Sequence, residues 1–151
     1  MSELISTDSV FSAESRQTLC CLMDMMIPVS EHMPSAADPA IAALVLNALA
    51  ARQELVLEAV AVLSEGAGDA RFHELSQLQR EALVADLRAK TPQFISFFQS
   101  QVATQYYQDD RVMVALGLEP RPPHPGGYKA PETDWTLLEP VRARPPLYRP
   151  V

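Results

Sequence analysis

The positions of the prolines divide this sequence into two parts that cannot fold in the same way. Nine of the 13 prolines lie in residues 119–151, and the other four are Pro28, Pro34, Pro39 and Pro92. Proline inside a helix removes a hydrogen bond and clashes with the preceding turn, so helices in the first part must begin or end near these four positions. The proline-dense part favours extended, polyproline-like structure.

N-cap residues and apolar spacing predict helices throughout residues 11–118. Ser12, Asp38 and Ser76 are favourable N-caps, and Gln79 three residues after Ser76 completes a capping box. The predicted segments are residues 13–27, residues 39–64 with a bend near Arg52, a helix after Ser76, a helix after Thr91-Pro92 and a short turn over residues 110–116. We therefore predict an all-α fold, a small bundle of about four to five helices with an extended Pro-rich C-terminal strap. The predicted division is a flexible leader at 1–10, a helical domain at 11–118 and a Pro-rich docking tail at 119–151.

The second half of the first predicted helix is apolar on almost every side, which is unusual for a surface helix. Its residues Leu22, Met23, Met25 and Met26 have two interpretations. They form a methionine-rich core, or they form a soft, adaptable contact surface for another protein. A second apolar face, made of Phe94, Phe97, Phe98, Val102 and Tyr106 at helical spacing, is predicted to be core.

Composition excludes several classes of partner. The net charge is −7, whereas binding to phosphate groups needs clustered Lys and Arg, so no nucleic acid partner is expected. No run of 18 apolar residues occurs, so no membrane span is predicted. The charge is uneven, because residues 1–118 carry 15 acids and 7 bases while residues 119–151 carry 4 acids and 5 bases. The tail is therefore mildly basic beside an acidic body.

Residues with catalytic or metal-binding chemistry do not form a recognisable pattern. His32, His73 and His124 lack metal-ligand spacing, and no nucleotide-binding fingerprint or nucleophile elbow is present. Cys20 and Cys21 are neighbours on a predicted helix, where bridging geometry is out of reach. We predict no catalytic residue, no metal and no cofactor in this chain, and no disulfide.

The tail combines prolines with aromatic side chains, which a disordered linker usually lacks. Trp135 and the segment Pro125, Gly126, Gly127 and Tyr128 are its main candidates for contact with a partner. Further candidates are Tyr148 in the tail and Tyr106 and Tyr107 at the end of the fourth long helix. Partner docking of the tail is preferred over packing on its own bundle, and both remain open.

Ordered motifs along residues 11–130 resemble one known family. Residues 18–28 read T-L-x-x-L-x-D-x-x-I-P, and residues 72–83 read F-x-x-L-S-x-x-Q-R-x-x-L. The remaining matches are Phe97-Phe98, Thr104, Tyr106-Tyr107, Leu116-Gly117 and the P-G-G-Y loop from Pro125 to Tyr128. In this order and spacing they resemble the gluconate 2-dehydrogenase subunit 3 family, the small or gamma subunit of bacterial flavin-dependent dehydrogenases.

The resemblance implies a cofactor-free helical subunit that binds a large flavoprotein of the glucose-methanol-choline type. That partner carries FAD and oxidises sugars, sugar acids or related alcohols, and a cytochrome c subunit often accepts the electrons. The small subunit supports folding or maturation of the large one and often carries a twin-arginine export signal. This sequence has no such signal, so a cytoplasmic location is expected, with co-export to the periplasm by the partner as the alternative.

Two other functions remain as alternatives. The first is a stand-alone small enzyme with Tyr106, Tyr107, His124 or Asp109 in a pocket, which predicts convergent polar groups in a concave site. The second is a self-associating helical protein whose apolar first helix forms a homodimer.

Overall fold

A computed structural model describes residues 10–121, 124–127 and 132–145, and its regular elements are helices. The helices are α1 (Ala13–Met26), α2 (Pro39–Leu49), α3 (Gln53–Ala67), α4 (Gln77–Lys90), α5 (Pro92–Tyr106), α6 (Asp110–Ala115) and α7 (Glu139–Arg142). Short 3₁₀ turns span Ala50–Arg52, Phe72–Glu74 and Trp135–Leu138. The described residues contain no strand, which confirms the predicted all-α fold.

The chain divides into two compact units, residues 1–120 and residues 121–151. The division follows Pro120, whereas the sequence placed it after Leu118. The first unit holds α1 to α6, and the second holds α7 with the preceding 3₁₀ turn.

The predicted N-caps Ser12, Asp38 and Ser76 are confirmed, and α5 begins after Thr91 as predicted. Ser12 Oγ accepts the amide of Ser15 at 3.1 Å, and Asp38 Oδ1 accepts the amide of Ala40 at 3.1 Å. The capping box of Ser76 and Gln79 is present at the start of α4. Thr91 does not cap α5 with its side chain, because it also ends α4 and its hydroxyl donates instead to the carbonyl of Leu87 at 3.0 Å.

The long apolar segment after Asp38 bends where the sequence predicted. Arg52 leaves the helical region at φ −132° and ψ 51°, and this residue ends the 3₁₀ turn and precedes α3. The helix runs to Ala67 rather than to Ser64, and Gly66 lies inside it. A Cβ at Gly66 would stand 2.6 Å from Leu83 Cδ2, so the glycine permits close approach of α3 and α4.

The core of the first unit is built from one face of each helix. α5 packs against α2, α3 and α4, while α1 packs against α2 and α3. Phe94, Phe98, Val102 and Tyr106 of α5 are buried as predicted. Phe97 is only half-buried, because it turns to the surface, where the guanidinium of Arg52 lies 5.3 Å from its ring centroid.

The helical run Pro39–Ala67 is long and apolar enough to cross a membrane by length and composition, with a mean hydropathy of 1.5 in its most apolar window. The same length and composition occur in core helices of soluble proteins. Here the run bends at its 3₁₀ turn and supplies buried residues from both of its helices to the core. This feature alone therefore does not indicate a membrane span.

The tail is not wholly extended, contrary to the prediction. Asp134 caps the turn Trp135–Leu138 by accepting the amide of Thr136 at 3.0 Å. α7 follows directly and carries Pro140 in its first turn, where the missing amide hydrogen is not needed. A proline-rich composition is thus compatible with two short helical turns when the proline stands at a helix start.

Candidate interaction surface

The candidate residues of α1 are divided between the core and the surface. Leu22 and Met23 have only 6% and 0% of their surface exposed, so they belong to the core of this chain. Met25 and Met26 are half-buried near the C-terminal end of the same helix. Of these four interface candidates, only Met25 and Met26 present substantial surface to a partner in the folded chain.

A groove of about 140 Å³, here called the methionine groove, lies between α1, α4 and α5. Its lining residues are Leu22, Met25, Met26, Val84, Arg88, Phe94, Ile95, Phe98 and Gln99. Seven of these nine are apolar, and Arg88 is the charged one. Two methionines in the wall give the groove an adaptable shape, since their unbranched side chains repack readily.

A second depression, here called the Arg80 depression, has a volume of about 250 Å³ and shares Met25 with the methionine groove. Its lining residues are Asp24, Met25, Pro28, Gln77, Arg80 and Glu81. Two carboxylates and one guanidinium give it a formal net charge of −1. The two concave regions therefore adjoin across Met25 and carry opposite charge.

The neighbouring residues Cys20 and Cys21 are free thiols. Arg80 Nη1 donates to Cys21 Sγ at 2.9 Å. Burial raises the pKa of the Cys20 thiol, and the neighbouring Cys21 adds to this effect. A raised pKa lowers the thiolate fraction at neutral pH, which favours a packing role for Cys20 over nucleophilic chemistry.

Arg111 joins the N-caps of two helices that are distant in sequence. Its guanidinium donates to both carboxylate oxygens of Asp38, the cap of α2, at 3.0 and 2.8 Å. The same guanidinium donates to both oxygens of Asp109, the cap of α6, at 3.0 and 2.9 Å. Asp109 was one candidate for an enzyme pocket, but its carboxylate is engaged in this pairing.

We expect the Asp38→Asn variant to be less stable than the native chain at neutral pH and equally stable in strong acid. The hydrogen bonds from Arg111 hold the pKa of Asp38 and of Asp109 below the ordinary value. A carboxylate with a lowered folded-state pKa contributes stability above its unfolded pKa of about 3.9 and loses it as the pH falls through the folded pKa. Urea denaturation at a series of pH values measures the difference.

Two further variants separate charge from capping in that experiment. Asp38→Ala also removes the cap of α2, so we expect an additional loss of about 1 kcal/mol at neutral pH. Asp86→Asn removes the charge of an exposed i,i+4 pair with Lys90 and is expected to change stability little. Identical pH profiles for Asp38→Asn and the native chain would show that Arg111 does not stabilise the fold through this carboxylate.

The two tyrosines at the end of α5 have different environments. Tyr106 is 1% exposed, and its hydroxyl donates to the carbonyl of Pro34 at 2.9 Å. Its ring meets that of Tyr107 edge to face with centroids 5.4 Å apart. Burial raises the pKa of Tyr106. Tyr106 therefore fixes the loop before α2 and is not a surface contact, whereas Tyr107 is exposed.

The candidates in the tail are accessible where the structure describes them. Pro125, Gly126 and Gly127 are exposed, and the carbonyl of Gly127 accepts a hydrogen bond from Arg121 Nη2 at 2.7 Å. Trp135 is 64% exposed. Leu137, Leu138 and Val141 are also exposed, so four large apolar side chains lie within seven residues. Tyr128 and Tyr148 lie outside the described residues.

No family model, curated protein or solved structure matches this chain. The resemblance to the gluconate 2-dehydrogenase small subunits therefore rests on the sequence motifs alone.

Three of the residues suggested for a stand-alone enzyme lie outside the walls of three concave regions of the bundle. Tyr106, Tyr107 and Asp109 are absent from the walls of the methionine groove, the Arg80 depression and a shallow hollow beside Arg52 and Phe97. Among the described residues, no group of three or more His, Cys, Asp or Glu side chains has metal-binding geometry. His124 belongs to the second unit and is exposed.

Proposed function

We propose that this chain is a non-catalytic small subunit that binds, stabilises or helps to mature a larger FAD-dependent dehydrogenase of the glucose-methanol-choline type. The partner would act on sugars, sugar acids or related alcohols, and a cytochrome c subunit would accept its electrons in some assemblies. The class of partner rests on the resemblance of residues 18–28, 72–83 and 125–128 to the small-subunit family.

The main support for a binding role is that large apolar side chains of the tail are exposed. Trp135, Leu137, Leu138 and Val141 are exposed on short helical turns held by the cap at Asp134. Exposed large apolar side chains that are close together mark surfaces that bind other proteins. Aromatic anchors contribute most of the binding energy in such contacts.

The resemblance implies that FAD is bound by the flavoprotein and not by this chain. We expect the purified chain alone to be colourless, and to carry FAD absorption only when it is purified with its flavoprotein. Co-expression with the flavoprotein encoded nearest to it, affinity purification through this chain and a visible spectrum test the proposal. Stoichiometric flavin, haem or metal in the chain alone would contradict it.

The same preparation distinguishes the two alternative functions. A homodimer in light scattering, with no flavoprotein bound, supports a self-associating protein whose exposed apolar residues pair with each other. A monomer that recovers no flavoprotein after co-expression contradicts the accessory role. The flavoprotein should also be more soluble or contain more FAD when this chain is co-expressed, because a maturation role acts on the partner and not on the chain itself.

A further inference from the structure

The methionine groove is an apolar recess with one charged residue, Arg88, in its lining. A cavity of about 150 Å³ with apolar walls is large enough to bind benzene, so a groove of about 140 Å³ can accept one leucine- or ring-sized side chain. Within residues 10–121, Arg88 has no hydrogen-bond or ion-pair partner, and its side chain is exposed. The groove therefore offers one apolar contact and one unpaired cation.

The Arg80 depression supplies the opposite charge on the other side of Met25. Glu81 accepts only the amide of Gln77 at 2.8 Å and is otherwise exposed, and Asp24 accepts the hydroxyl of Ser35. Both carboxylates keep acceptor oxygens free for a further donor, since each ionised carboxylate has about four lone-pair sites. Along α4, Arg80 and Glu81 of the depression precede Val84 and Arg88 of the groove. A segment that crosses Met25 would therefore meet a cation at one end, an apolar recess in the middle and an anionic site at the other end.

We propose that the methionine groove and the Arg80 depression together bind an amphipathic segment of a partner protein. The segment would place one large apolar side chain in the groove, a carboxylate toward Arg88 and a cation toward Asp24 and Glu81. This inference rests on the proposed function, because it names the surface of the bundle through which an accessory subunit contacts its partner. The charge pattern argues for a partner of this chemistry, since a purely apolar occupant would leave Arg88 without a counterion.

Synthetic peptides test this surface without the flavoprotein. The probes are fluorescent helical peptides with one tryptophan, flanked on one side by glutamate, by lysine or by glutamine. Fluorescence anisotropy with the full chain measures each affinity. We expect the glutamate peptide to bind the native chain, and its affinity for the Arg88→Glu variant to be lower by roughly fivefold or more. The variant replaces an exposed ion pair with repulsion between two carboxylates. The lysine peptide should bind the Arg88→Glu variant more tightly than it binds the native chain.

Lys90→Glu is the matched control, because it makes the same change of charge in the last turn of α4 outside the groove. Its affinity for the glutamate peptide should stay within about twofold of the native value. Glu81→Lys should weaken the lysine peptide and not the glutamate peptide. Val84→Trp fills the groove and should abolish binding of all three peptides, with circular dichroism to verify that the variant is folded.

Several results would overturn the inference. They are the absence of saturable binding by every peptide, equal losses for Arg88→Glu and Lys90→Glu, and unchanged binding by folded Val84→Trp. A homodimer that Val84→Trp converts to monomer would assign the groove to a second copy of this chain instead. If the chain binds the peptides as expected and no flavoprotein, the surface stands and the proposed function fails. If the chain binds the flavoprotein and the groove variants leave that binding unchanged, the proposed function stands and the groove is not the contact surface.

Discussion

Met23→Asp should lower the free energy of unfolding by several kcal/mol, the largest effect of any single substitution proposed for this chain. Met23 is fully buried, and the variant would place a carboxylate among apolar side chains without a hydrogen-bond or ion-pair partner. Leu22→Asp should behave similarly. Since domains of this size are stable by only about 5–15 kcal/mol, either variant is expected to be largely unfolded or strongly destabilised. Urea denaturation followed by circular dichroism measures the effect.

Two control substitutions make this result interpretable. Leu78→Asp places the same carboxylate on α4 at a residue that is 78% exposed, and its effect should be within about 0.5 kcal/mol. Met23→Leu conserves the apolar character and should cost less than about 1.5 kcal/mol. If Met23→Asp matched Leu78→Asp in stability, the placement of α1 in the core would be wrong.

A chain that ends at Leu118 should remain folded and lose its partner. The end of α6 is closed before the cut, because the amide of Leu118 donates to the carbonyl of Met113 at 2.8 Å and Gly117 adopts a positive φ of 73°. The described tail residues 132–145 are exposed, so their removal takes no buried side chain of that segment from a core. We expect native-like helicity and melting temperature, together with loss of co-purification with the flavoprotein.

A point variant refines the experiment on the tail. Trp135→Ala in the full-length chain should reduce affinity for the flavoprotein by roughly tenfold or more, as for an aromatic residue at the centre of an interface. Arg144→Ala, an exposed change in the same tail, is the control and should have little effect. Aggregation or unfolding of the truncated chain would show instead that the tail belongs to the fold of the bundle.

Local chemistry explains why the helices could be predicted. The caps at Ser12, Asp38 and Ser76, the helix end before Pro28 and the helix start at Pro39 depend on residues three or four positions apart. The local sequence therefore contains the information needed to place them. The bend near Arg52 was also predictable from the interruption of the apolar pattern. The short helical turns of the tail were missed because proline density outweighed the cap at Asp134 and the favourable position of Pro140.

Tertiary relations explain what sequence reasoning missed at the candidate surface. Apolarity placed Leu22, Met23, Met25 and Met26 in one group, yet burial depends on which side of α1 faces its neighbours. The proposed role of Arg88 depends on α1, which lies far from it in sequence, and on how the next helix, α5, packs beside α4. The link between Arg111 and Asp38 had only one local cue, the cap residue Asp109 two positions before the arginine.

The loop before α2 and the segment around α6 are tied by two links of nearly equal sequence separation. Tyr106 reaches Pro34 across 72 residues, and Arg111 reaches Asp38 across 73. The entropy lost in closing such a loop depends mainly on its length, so the second link forms at little further entropic cost once the first is in place. Conversely, loss of one link leaves the other to hold the closure alone. We therefore expect the caps of α2 and α6 to become accessible to hydrogen exchange together rather than one after the other.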